Sequence, residues 1–131
     1  MINLIRSDAI TVCLEFDQKG NEELIHAFER VKEMPYKINI FFDRHIIMKK
    51  RKIVSEEILF KKSPDWEDCQ LLYENQSLIW LMGEETIEYA LEKLLECQKN
   101  SYIFPAEFGT IGNAANVKHN GFDDIVWKYI K

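Results

Sequence analysis

A chain of 131 residues is the usual size of one domain and leaves little room for a second core. Hydrophobic residues make up 47% and charged residues 30%, with eight Phe, five Tyr and three Trp to anchor a core, which excludes a disordered chain. A net charge of −5 counts against a general nucleic-acid binder, which is more often basic, so direct nucleic-acid binding is not expected.

That charge is unevenly spread. Residues 37–62 hold eight Lys or Arg against three Asp or Glu, whereas residues 1–36 sum to −3 and residues 63–131 to −7. Such a field steers association with charged partners without dictating the fold. Met1 to Arg6 is too short and too soon interrupted to read as a signal peptide, and no apolar run approaches a membrane span. The three cysteines, Cys13, Cys69 and Cys97, are odd in number and widely spaced. Reduced thiols in a cytoplasmic protein are the expectation.

In chain order, Ile10 to Phe16 is rich in β-formers and reads as a strand. Gly20-Asn21 then introduces a helix, with Asn21 as N-cap, Leu24, Phe28 and Val31 on one apolar stripe, and Pro35 as its stop. Ile38, Ile40 and Phe42 alternate with Asn39, Phe41 and Asp43 as a strand. Further strands are expected over Ile46 to Val54 and over Glu57 to Lys62. Ser63-Pro64-Asp65 punctuates the midpoint, and a hairpin follows, Cys69 to Tyr73 and Ser77 to Met82. Gly83 to Lys99 reads as a second helix that buries Ile87, Leu91 and Leu94. Ser101 to Phe108 and Phe122 to Ile130 read as closing strands.

The economical architecture is a single α+β domain, a mostly antiparallel sheet with two helices on one face. The helices overlay at an offset of 63 residues, Gly20 on Gly83, Leu24 on Ile87 and Phe28 on Leu91. This leaves open a duplication into pseudo-symmetric β-β-α-β-β halves, 1–64 and 65–131.

Bond-making chemistry finds little footing. His26, His45 and His119 are far apart, with no H-E-x-x-H or C-x-x-C, so no metal or other cofactor is expected. No G-x-S-x-G elbow and no Walker loop is present. Lys49-Lys50-Arg51-Lys52 alternates faces if it is a strand, which suits a solvated edge better than a phosphate grip. Residues 109–121 form a long loop with three Gly and three Asn, and loops of this length are usually functional or disordered. Gly109, Gly112, Asn113, Asn116, His119 and Asn120 are its candidate ligand residues, on an alternative reading in which the loop covers the cleft of a small-molecule-binding domain or small enzyme. A homo-oligomer built through Ile125 to Ile130 also stays open.

The second helix carries the feature that points furthest. At 100° per residue, Glu85, Glu88, Glu92 and Glu96 fall within an arc of roughly 80°. Like charges at i and i+4 repel, so stability alone would intersperse Lys there. A solvated face is the plain reading; a docking surface for a cationic partner is the functional one. In size, acidic second half and this stripe, the chain resembles small bacterial immunity proteins of polymorphic and contact-dependent toxin systems. The resemblance implies a non-catalytic inhibitor that neutralises a basic, nuclease-type toxin domain in the cytoplasm.

Overall fold

The computed structural model describes residues 1–6, 11–43, 53–66, 69–74, 77–103 and 124–131. They form seven strands and two helices: β1 (Ile2–Arg6), β2 (Thr11–Phe16), α1 (Gln18–Val31), β3 (Tyr36–Asp43), β4 (Ile53–Lys62), β5 (Cys69–Glu74), β6 (Ser77–Met82), α2 (Glu84–Asn100) and β7 (Asp124–Tyr129). The strands make one sheet in the order β5-β6-β4-β3-β1-β2-β7. The α+β class holds, but the sheet is mixed rather than mostly antiparallel. Neighbours β1·β2, β3·β4 and β5·β6 run antiparallel, whereas β1·β3, β2·β7 and β4·β6 run parallel. Local hairpins give antiparallel pairs, and every long-range closure here happens to be parallel.

Alternation assigns the faces. Ile2, Leu4, Leu14, Phe16, Ile38, Ile40, Phe42, Ile58, Phe60, Leu71, Leu78, Trp80, Met82 and Trp127 are buried and share one face through the strand register. Leu24, Phe28 and Val31 of α1 and Ile87, Ala90, Leu91 and Leu94 of α2 join the same core cluster, so both helices cover that face. Phe28 sits at its centre, 5.1 Å from the Phe60 ring, 5.7 Å from Trp80 and 6.0 Å from Trp127.

Trp80 and Trp127 stand on strands five places apart, about 24 Å in a flat sheet at ~4.8 Å per strand. Their rings nevertheless lie 6.5 Å apart. The sheet therefore curls around the helix layer until its two flanks meet over Phe28, well beyond ordinary strand twist.

The helix starts differ from the sequence reading in an instructive way. Asp17, not Asn21, is the N-cap of α1, accepting the Gly20 N–H on Oδ1 at 2.8 Å. Asn21 lies inside the helix, buried, and its Nδ2 donates to the Leu94 carbonyl of α2 at 3.2 Å. Gly83 is the N-cap of α2. Aligned by their caps the helices are offset by 66 residues, not 63, and five buried positions coincide: Asn21 with Ile87, Leu24 with Ala90, Ile25 with Leu91, Phe28 with Leu94, Val31 with Cys97. An amphipathic helix slid by one turn keeps most of its apolar matches, which is why the shorter offset looked sound. The hairpins β1–β2 and β5–β6 each lead into one of these helices, and each receives a parallel strand from the other half, β7 on β2 and β4 on β6.

The N-terminal segment forms β1, an element that the sequence reading did not single out. The two strands expected over Ile46 to Val54 and Glu57 to Lys62 are described from Ile53 as one strand, β4. Of the strand expected over Ser101 to Phe108, residues 101–103 are not extended ladder, and Ser101 closes α2 in the left-handed region at φ 54°. Residues 104–108 lie outside the described residues.

Candidate acidic face on the second helix

All four glutamates of the stripe, Glu85, Glu88, Glu92 and Glu96, are exposed on α2, opposite the buried Ile87, Leu91 and Leu94. Lys93 reaches Glu96 at 3.7 Å and lies 5.6 Å from the Tyr89 ring centre, so one carboxylate is partly neutralised. Glu85, Glu88 and Glu92 make no ion pair among the described residues. The positive end of the helix favours Glu85, while Glu96 stands toward the end where cations are preferred. Two exposed apolar side chains flank the ridge. Leu95 is 46% exposed beside Glu92 and Glu96, and Trp66 is 52% exposed at the helix start, its carbonyl accepting the Glu85 N–H at 3.1 Å.

The α2 entry is fixed by the midpoint turn. Ser63 Oγ accepts the Asp65 N–H at 3.1 Å, and the Ser63 N–H donates to the Met82 carbonyl at 2.8 Å. The turn crosses so close to Gly83 that a Cβ there would collide with the Asp65 and Trp66 carbonyls. Glycine at this point is a steric requirement of the crossing. On α1, the Gly20 hydrogen bond and then the Met1 ammonium at 2.9 Å hold the Asp17 carboxyl below its ordinary value. This contribution to stability is present above the ordinary carboxylate range and is lost as pH falls through the lowered value.

Two of the three thiols, Cys13 and Cys97, are shielded by burial. Cys13 is buried on the sheet face away from the helices, and burial, reinforced by Glu15 and opposed by Lys128, pushes it from 9.0 up to about 11. Burial also raises Cys97, against a hydrogen bond from the Tyr102 backbone. Cys69 is half-buried. A raised folded value means the folded state resists the thiolate, so this stability is complete below pH 9 and is lost as pH climbs toward 11. Between those values the native chain is expected to lose more stability in urea titrations than its Cys13→Ala variant, and an equal loss would show that Cys13 is not shielded.

No group of three or more His, Cys, Asp or Glu among the described residues is placed to hold a metal ion. The basic run Lys49-Lys50-Arg51-Lys52 and the candidate ligand residues Gly109, Gly112, Asn113, Asn116, His119 and Asn120 lie outside the described residues. Two open grooves flank the start of α1. One, of about 740 Å³, runs past Gln18, Glu22, Ser101 and Tyr129. The other, of about 610 Å³, lies between α1 and β3. No described helix is long and apolar enough to cross a membrane. Comparison with known proteins finds no matching family model, no matching curated protein and no matching solved structure.

Proposed function

We propose that this chain is a non-catalytic protein-binding module, an immunity-type inhibitor that captures a basic, nuclease-like toxin domain in the cytoplasm through the exposed face of α2. The observation that supports it is the run of Glu85, Glu88 and Glu92, three exposed carboxylates on one helical ridge without an ion pair among the described residues. Intrahelical repulsion along such a ridge costs a few tenths of a kcal/mol per pair. A partner bearing Arg and Lys removes that cost on docking. Carboxylates of this kind speed encounter, while exposed apolar groups such as Leu95 and Trp66 supply the anchors that slow release.

The test is co-purification of the tagged chain with the product of the neighbouring reading frame, for the native sequence and for Glu88→Lys/Glu92→Lys. The native chain is expected to retain a basic protein that the reversed variant releases in the wash. Equal retention by both would remove this face from the interface.

A further inference from the structure

One of the three tryptophans stands apart from the other two. Trp80 and Trp127 are fully buried, whereas Trp66 is 52% exposed and shares no ring contact among the described residues. The turn that carries it is braced. The Ser63 N–H donates to the Met82 carbonyl at 2.8 Å, and the Asp65 N–H donates to Ser63 Oγ at 3.1 Å. The Glu85 N–H donates to the Trp66 carbonyl at 3.1 Å, and Gly83 packs directly against the Asp65 and Trp66 carbonyls. An indole held in this way adds little to the core, but it meets a ligand with its backbone already ordered.

The charge around it is of one sign. From Ser63 to Glu92 the sequence holds eight Asp or Glu and no Lys, Arg or His. Asp65 adjoins Trp66 in the chain, Glu85 is tied to it by the backbone hydrogen bond, and Glu88 lies one turn further along α2. All three are exposed.

We infer that Trp66 is an arginine-reading site at the entry of α2, where a guanidinium of the basic partner stacks on the indole beside these carboxylates. This rests on the docking role proposed for α2 and names the side chain that the partner brings to it. Aromatic faces attract cations, and Trp does so most strongly. A guanidinium is flat, weakly hydrated and forked to match carboxylates, whereas an ammonium is compact and strongly hydrated. The indole therefore sorts arginine from lysine, while the glutamate ridge supplies attraction for both.

The experiment titrates the intact chain at low salt with two probes, capped penta-arginine and capped penta-lysine, and follows the indole N–H signal of Trp66. Both peptides are expected to bind, penta-arginine more tightly by about two- to fivefold, with the Trp66 indole signal moving. Trp66→Leu, at an exposed position, removes that preference, and Trp66→Phe keeps part of it. Glu88→Lys/Glu92→Lys weakens both peptides together. Equal affinity of the native chain for the two peptides, or a preference that survives in Trp66→Leu, overturns the inference and leaves the ridge standing. Failure of both peptides to bind overturns the two readings at once.

Discussion

Phe28→Ala is expected to remove about 3–5 kcal/mol of stability, a large share of what a domain of this size possesses. Phe28 is fully buried and touches Phe60, Trp80 and Trp127, which belong to three strands on opposite flanks of the sheet. Truncation therefore opens a cavity at the point where the flanks converge, and no single neighbour can move to fill it. Urea unfolding followed by tryptophan fluorescence measures the loss, because two of the three tryptophans line the cavity. A companion double-mutant cycle, Trp80→Leu with Trp127→Leu, tests the curl itself. Rings at 6.5 Å are expected to couple by about 0.5–1.5 kcal/mol. Residues on strands five places apart in a flat sheet would not couple.

The second large effect concerns a residue whose substitution adds a single methyl. As the N-cap of α2, Gly83→Ala already loses a modest amount of stability, because alanine caps a helix less well than glycine. Here the added methyl runs into the Asp65 and Trp66 carbonyls, and these backbone atoms are held by the Ser63 hydrogen bonds to Asp65 and Met82. Overpacking of this kind costs about 1–3 kcal/mol, and it is expected to displace the turn that carries Trp66. Gly20→Ala makes the same argument with opposite bias. Inside a helix, Ala is better than Gly by about 1 kcal/mol, yet a Cβ at Gly20 meets the Met1 carbonyl, Ile2 Cγ1 and Phe16 Cβ. Both variants are expected to lower the unfolding midpoint. A stabilised Gly20→Ala would mean that the Met1 backbone yields freely.

Much of this architecture was readable from periodicity. The hairpin of β5 and β6, the strand β3 and both helices follow from alternating or 3.6-residue apolar patterns. The N-cap of α1 was misplaced because Gly20-Asn21 mimics a helix start, whereas Asp17 three residues earlier supplies the cap. Register across the sheet was not readable. Nothing local in Ile58 or Phe60 announces a parallel partner in Leu78 or Trp80, since that pairing is decided by which core residues meet. The exposed glutamates were legible because their spacing alone fixes a helical face.

The dependence of association rate on ionic strength is the most direct measure of the docking ridge proposed on α2. With the captured basic partner, the native chain is expected to associate fast at low salt and to slow steeply as salt is raised. Glu88→Lys/Glu92→Lys flattens that slope and lowers the low-salt rate by about tenfold or more, with a smaller change in dissociation. Superimposable rates for the two chains across the salt series would contradict it.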